Sequence, residues 1–441
     1  MKTYHIITFG CQMNEHDSEN IAGMLEALGY RECEDPHQAG LVVMNTCSVR
    51  ENADKRFFGM LGQFKNRKKA DNSFLMCVCG CMPQQPHIVQ EIRERFSWVD
   101  IVFGTQTIGE FPALLRERLR TGKKQFSIIA NSDTPPEEKD PKRVHRHKAL
   151  VNITYGCNNF CTYCVVPYTR GREKSRTLEE VCDEVRGLVQ DGVREIMLLG
   201  QNVNSFRDSR GNDFASLIRA LDQMEGLDRI RFMTSHPKDL SDDLIDCFRN
   251  ARKLCHNIHL PVQAGSDAVL RRMNRRYDRA RYLELIRRLR EACPEISIST
   301  DIIVGFPGET EEDFADTLSL VQEVQYDSAF TFLYSPRKGT PAAEFTDQIP
   351  EEVKHERFDR LVEAVNESSI RKNRAYEGRV VSVLVDGRSR RDPERYEGRT
   401  DTFKLVNFTS REDLTGCIVP VRITEARTFS LEGEIAEGEI R

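Results

Sequence analysis

LVNITYGCNNFCTYC, residues 150–164, runs from a strand-like apolar stretch through Gly156 into three cysteines, Cys157, Cys161 and Cys164. Three thiolates in a Cys-x3-Cys-x2-Cys run can hold three irons of a four-iron cubane, because cysteine thiolate is the usual protein ligand of such clusters. The fourth iron is then left without a protein ligand and can accept an outside molecule. Zinc is the main alternative, but structural zinc takes four ligands. No Cys or His follows closely after Cys164, and His145 and His147 precede it in a polar connecting segment.

Outward from this stretch, apolar strands alternate with amphipathic helices over residues 149–374. The strands read as LVNITYG, EIMLLGQ, IRFMTS, NIHLPVQ, ISTDIIVG and AFTFLYS, with helices such as TLEEVCDEVRGLVQ and YLELIRRLREA between them. Six such units predict a complete or partial (β/α) barrel, whose reactive groups sit at the strand C-termini. Residues 1–118 repeat the alternation on a smaller scale: YHIITFG, LVVMNT, FLMCVCG and VDIVFGT, each with a polar-faced helix in between. This predicts a small α/β domain around a parallel sheet. Residues 119–148 read as a linker because of the charged, double-proline stretch NSDTPPEEKDPKRVHRHK. Residues 375–441 carry short strands (VVSVLV, TFKLVNF, GCIVPVRITEA, SLEGEI) with Gly turns and no long helix, which predicts a small antiparallel β-barrel.

Composition narrows the class. The chain has 441 residues, of which 39% are hydrophobic and 30% charged. No apolar run approaches the ~18 residues of a membrane span. MKTYHIITFGC enters a strand directly, without the pattern of a signal peptide. We therefore expect no membrane association and a cytoplasmic protein. The net charge of −5 is weak evidence against nucleic-acid binding, since a whole-chain sum can hide a basic face. The 14 cysteines are more informative. In a reducing compartment, clustered thiols point to metal or redox chemistry. About half of them read simply as small buried hydrophobes: Cys33, Cys182, Cys247, Cys255, Cys293 and Cys417 fall within or near regular elements.

Three more cysteines are placed in a matched way. Cys11, Cys47 and Cys81 each follow one of the first three strands. In an open parallel sheet the functional crevice lies outside the strands' carboxyl ends. Three thiols distant in sequence would thus converge at one sheet edge, which predicts a second cluster with an open iron. Cys77 and Cys79 share one strand face and could compete as ligands. Cys81, at the turn after Gly80, is the preferred position.

Cys157–Cys164, with aromatic Tyr163 before the last cysteine, resembles the signature of the radical S-adenosylmethionine (SAM) superfamily. Two cysteine triads in this order, followed by a small barrel, resemble the methylthiotransferases over essentially the whole chain. The matching stretches are Phe9-Gly10-Cys11-Gln12-Met13-Asn14, Asn45-Thr46-Cys47-Ser48-Val49-Arg50-Glu51, and Cys164-Val165-Val166-Pro167-Tyr168-Thr169-Arg170-Gly171-Arg172. They look like the branch that modifies isopentenylated adenosine in tRNA. The sibling branches, acting on threonylcarbamoyladenosine or on a ribosomal-protein aspartate, typically carry GCKVN-like or GCPKN stretches instead. Met82 after Cys81 is a local departure, where the family pattern leads one to expect a small residue.

The resemblance implies two [4Fe-4S] clusters and two SAM molecules. SAM chelated at the Cys157–Cys161–Cys164 site yields a deoxyadenosyl radical that attacks adenine C2. A second SAM methylates a sulfur held at the Cys11–Cys47–Cys81 site. The substrate is then the adenosine 3′ of the anticodon, and the C-terminal barrel is a TRAM domain. An electron donor and a sulfur source are further expected partners. Polar or glycine positions at strand ends are candidates for holding SAM: Gln201 and Asn202, Ser235, Gln263, and Asp301, which reads as the end of ISIST, together with Tyr163. Gly305 and Glu309 flank the turn after Asp301. Each could equally cap a helix or close a turn, a common role for such residues.

An RNA grip is expected in the C-terminal barrel. Between Arg371 and Lys404 stand ten Lys or Arg against six Asp or Glu, with Tyr376, Tyr396 and Phe403 interleaved. Cations supply affinity for phosphates and aromatics can stack bases. The Arg170–Arg176 loop and the cluster Arg271, Arg272, Arg275 and Arg276 could also approach phosphates, although helical arginines often face only water. A non-catalytic iron–sulfur carrier is the competing class, and it leaves the polar strand ends unexplained.

Overall fold

The computed structural model describes residues 2–48, 53–129, 141–389 and 391–441. The charged stretch 131–140 of the linker and residues 49–51 of the second matching motif lie outside the described residues.

The N-terminal sheet contains β1 (Thr3–Thr8), β2 (Arg31–Glu32), β3 (Leu41–Thr46), β4 (Leu75–Gly80), β5 (Ile101–Phe103) and β6 (Gln125–Ser127). Their order is β2-β1-β3-β4-β5-β6 and every pairing is parallel. Every residue of β3 and β4 is buried, as expected of central strands covered on both faces. One face packs under α1 (Gln12–Ala27) and α5 (Phe111–Thr121) through Ile21, Leu25, Phe111 and Leu115. The other packs under α2 (Ala53–Gln63) and α4 (Pro86–Arg95) through Phe57, Leu61, Ile88 and Ile92, with the short α3 (Lys65–Ala70) between them. The sequence shows four of these six strands. The edge strands β2 and β6 are two and three residues long and carry no apolar run, so pattern alone misses them. Since β6 joins the sheet, the N-terminal unit extends beyond 118 into the stretch read as linker.

The central unit begins with β7 (Lys148–Asn152), β8 (Thr154–Tyr155), α6 (Val166–Thr169), β9 (Lys174–Ser175), α7 (Leu178–Gln190) and β10 (Glu195–Leu199). It continues through α8 (Phe214–Asp222), β11 (Arg229–Phe232), α9 (Asp242–Asn250), β12 (Asn257–His259), α10 (Asp267–Arg272) and α11 (Arg279–Ala292). β13 (Ser297–Val304), α12 (Glu311–Val324), β14 (Ser328–Leu333) and the long α13 (Glu351–Arg374) complete it. Helix starts follow local chemistry: α7 and α12 open with capping boxes, Thr177 with Glu180 and Thr310 with Asp313. The six long strands are parallel and form two triplets, β7-β10-β11 and β12-β13-β14. A bridge between Ile230 and Leu254 links the triplets. β7 and β14 are the two outer strands and do not pair, so this is a partial barrel with an open side. Along β13, Ile298, Ile302 and Val304 point out into the main helix-covered core. The alternating residues Ser299, Asp301 and Ile303 therefore face the lumen.

The C-terminal strands β15 (Val380–Arg388), β16 (Tyr396–Thr400), β17 (Leu405–Phe408), β18 (Ile418–Ala426) and β19 (Leu431–Ile435) close into a barrel ordered β15-β16-β17-β19-β18. All seams are antiparallel except β17–β19, which is parallel. The sequence reading lacks β16 because YEGRT is mostly polar, although Tyr396, Gly398 and Thr400 alternate inward.

This barrel is docked onto the strand N-termini of the central unit. Arg231, buried, holds Glu195 (2.8 Å) and Asn257 (2.7 Å) and donates to the carbonyls of Thr400 (2.6 Å) and Asp401 (3.0 Å). Arg229 donates to the carbonyls of Arg399 (2.8 Å) and Ser382 (2.9 Å), and Lys404 pairs with Asp327 at 2.7 Å. The docking overturns part of the expected RNA grip. Tyr396 lies in the barrel interior at 1% exposure. Phe403 lies under Arg231 and Arg399, and the Tyr376 hydroxyl bonds Thr402 at 2.8 Å. Phe403 packs at the domain contact, while Tyr376 and Tyr396 pack within the C-terminal unit, so these rings are not free to stack bases. Arg390, counted in the basic surplus, lies outside the described residues.

Candidate active site at the junction of two domains

At the carboxyl edge of the N-terminal sheet, the turn after β1 brings Cys11 against Cys47. Gly10 has φ +117, and a Cβ there would lie 2.6 Å from Cys47 Cβ, so only glycine permits the approach. Asn14, in the first turn of α1, locks the helix onto β3. Its Nδ2 donates to Asn45 Oδ1 (3.0 Å) and to the Thr46 carbonyl (2.9 Å), and Asn45 Nδ2 returns a bond to the Asn14 carbonyl (2.8 Å). Cys11 is exposed, while Cys47 and Cys81 are buried. Burial pushes the Cys81 thiol up to about 11. Arg170 opposes that rise, and the neighbouring Cys47 and Cys11 add to it. All three thiols thus lie within electrostatic reach of one another. Cys77 and Cys79 are sealed in the core beneath α1 and α5.

The second triad follows β8. Gly156, at φ +74, sits where a Cβ would fall 2.2 Å from the Arg172 carbonyl, which keeps this loop tight. Burial, together with the charges of Cys161 and Cys157, raises the Cys164 thiol to about 12.

Each triad has a buried guanidinium at one sulfur. Arg170 Nε is 3.3 Å from Cys81 Sγ, while its other arm holds Asp17 (3.0 Å) and Asn14 (3.4 Å). Because Arg170 closes α6, just beyond Cys164, it reaches from the central unit to the N-terminal triad. Arg275 is 3.5 Å from Cys161 Sγ, and its other bonds go to the Pro261 carbonyl and the Tyr277 hydroxyl. Among the described residues no carboxylate pairs with Arg275. A buried cation without a counter-charge is costly, so this position fits an anionic centre built on the thiolates. Among the described residues no three His, Cys, Asp or Glu close on a single ion. By sequence, both arginines belong to clusters that could approach phosphates. Burial and the adjacent sulfurs show otherwise, and no periodicity in the sequence could have revealed it.

The residues expected to hold SAM are distributed as follows. Asn202 donates to Asp239 at 2.7 Å, yet its Oδ1 is buried without a partner, as is Ser235 Oγ. Two orphaned oxygens where β10 and β11 end fit a polar ligand at this mouth. Gln201 accepts from the Gly156 amide and lies against Met13 of the N-terminal domain. Tyr163 packs edge-on against Phe306 at 6.5 Å. Gln263, at φ 74, bridges by backbone to Asp301 and Ile303. Asp301 lies within β13 rather than at its end, 3.4 Å from His259. Glu309 has a structural position: it accepts from the Gly305 amide and pairs with buried Arg357, each at 3.0 Å. Burial lifts its carboxyl to about 7 despite that pairing.

Replacing Arg170 by Met removes the buried ion pair with Asp17 across the two domains and is expected to destabilise the domain junction by about 3 kcal/mol. Urea denaturation of the metal-free protein measures this loss. Limited proteolysis should then release the N-terminal domain sooner.

The chain matches the Uncharacterized protein family UPF0004 over residues 3–104, the Radical SAM superfamily over 151–321 and the TRAM domain over 374–436. It is 50% identical over 438 residues to a tRNA-2-methylthio-N(6)-dimethylallyladenosine synthase of Clostridium tetani, covering 98% of this chain and 96% of the relative. The protein of that name from Alkaliphilus oremlandii is 51% identical over 439 residues, covering 99% and 93%. Among solved structures, the radical SAM methyltransferase TsrM of Kitasatospora setae superposes with a TM-score of 0.54 at 14% identity, over 78% of this chain and 77% of that one. At that identity the likeness concerns the fold alone.

Proposed function

The chain belongs to the family of tRNA-2-methylthio-N(6)-dimethylallyladenosine synthases, and from this membership we propose that it transfers a methylthio group to C2 of N6-isopentenyladenosine beside the tRNA anticodon. Cys157, Cys161 and Cys164 would hold one [4Fe-4S] cluster, and Cys11, Cys47 and Cys81 the other. When bound, the clusters and SAM supply radical chemistry and a methylated sulfur.

The protein's own residues bind, orient and balance charge. Arg275 and Arg170 offset negative charge on the two thiolate sets. Asn202 and Ser235 offer free oxygens to a ligand, while Gln201, Gln263, Asp301 and Tyr163 surround the same mouth. The observation that carries the reading is the reach of Arg170 from just beyond one triad to Cys81 of the other, which turns both thiol sets toward one junction. An aromatic carbon such as adenine C2 has no proton that an ordinary base removes at neutral pH, so a radical route suits it. The target base would leave its stack in the single-stranded anticodon loop at modest cost. Near the second triad, exposed Tyr168 meets Phe160, whose ring lies 4.4 Å from the Arg172 guanidinium, and this trio is the proposed contact for that loop.

A cytoplasmic location accords with 14 free cysteines, and no described helix is long and apolar enough to cross a membrane. An electron donor and a sulfur source complete the proposed partners. The test is mass spectrometry of tRNA nucleosides and of ribosomal proteins from a deletion strain. The reading requires loss of the methylthio group from isopentenyladenosine; loss from ribosomal protein instead would overturn it.

A further inference from the structure

We propose that Phe330 and Phe332 form the wall of the lumen that recognises the alkenyl group on the target adenine. The proposal deepens the functional reading above and rests on it. Both side chains lie on β14, an outer strand of the partial barrel, and they are 54% and 41% exposed. Neighbouring Ala329 packs outward against the main core, so Phe330 and Phe332 face inward by alternation.

The register makes them part of a continuous surface. Phe332 pairs with Ile303 and Phe330 with Asp301. Ile303 packs in the same apolar group as Tyr163, the residue before Cys164. An apolar stripe therefore descends from the second triad to the open side of the barrel. Beside it lie polar groups suited to a base: His259, edge-on to Phe330 at 5.8 Å, bonded to Ser299 and with Asp301 3.4 Å from its ring. Large exposed rings next to a reactive centre are uncommon unless a ligand covers them. The fitting occupant has a flat heteroaromatic face and a branched apolar arm, and it enters from the open side.

The experiment uses the reconstituted holoenzyme and two synthetic anticodon stem-loops, identical except that the target adenosine is bare or N6-dimethylallylated. Fluorescence anisotropy gives the affinity for each, and SAM affinity is measured in parallel. The unsubstituted protein should prefer the alkenylated RNA. Phe330→Ala with Phe332→Ala should lower that preference by about tenfold or more, as expected for apolar recognition in a pocket. Affinity for the bare RNA and for SAM should hold. An unsubstituted protein without the preference, a preference that survives both substitutions, or variants that lose only SAM affinity would each overturn the proposal. Failure of the unsubstituted protein to bind either RNA would overturn the functional reading as well, and is a distinguishable result.

Discussion

Cys157→Ala should abolish deoxyadenosine formation from SAM, whereas Cys11→Ala should leave that reaction running and stop methylthiolated tRNA from appearing. The two thiols belong to sets held by different domains, so losing one leaves the other set intact. Anaerobic reconstitution provides a second readout: about eight irons per chain in the unsubstituted protein and about four in either variant. Arg275 is buried at Cys161, a thiol of the same set that the first variant keeps. Methylthiolated tRNA made by the Cys11 variant would refute the proposed division of labour.

The second large effect is on stability. Arg231→Met removes the cation that joins Glu195 to the carbonyls of Thr400 and Asp401, and is expected to cost about 3 kcal/mol in chemical denaturation. Lys148, 3.3 Å from Glu195, and Arg229, at 3.9 Å, remain as partial compensation. The same network sets an acid limit. Burial alone would raise the Glu195 carboxyl, but Arg231, Lys148 and Arg229 hold it at about 2, below its ordinary 4.5. A carboxyl with a depressed folded value contributes stability above its unfolded value and loses it as pH falls through the folded one. Glu195 should therefore add about 3 kcal/mol at neutral pH, fading between about pH 4.5 and pH 2. In the Arg231 variant this acid-dependent component should shrink. An unchanged pH profile of stability would show that Glu195 is not held by the network.

Much of the architecture was legible without coordinates, because a buried parallel strand is an apolar run and a helix over it has an apolar face. The long strands of both α/β units follow from that pattern. The omissions share one cause: β2, β6 and β16 are short or polar and exist only because a neighbouring strand supplies their hydrogen bonds. Asp301 was misplaced for a related reason, since β13 runs on through Ile302, Ile303 and Val304, where ISIST alone seems to end a strand.

By itself the sequence determined which thiols could act together, since Cys157, Cys161 and Cys164 are bound to one loop by spacing and Cys11, Cys47 and Cys81 to one edge by strand order. Only the tertiary structure decided what faces those thiols. Arg170 and Arg275 pass for surface cations in the sequence and become buried partners of sulfur. Tyr376, Tyr396 and Phe403 pass for an RNA-stacking face, yet the first two pack within the C-terminal unit and Phe403 at a domain contact. Phe330 and Phe332 pass for core and line an open lumen. The physical reason is that spacing and periodicity are local, whereas burial and the pairing of charges depend on segments brought together only when the chain has folded.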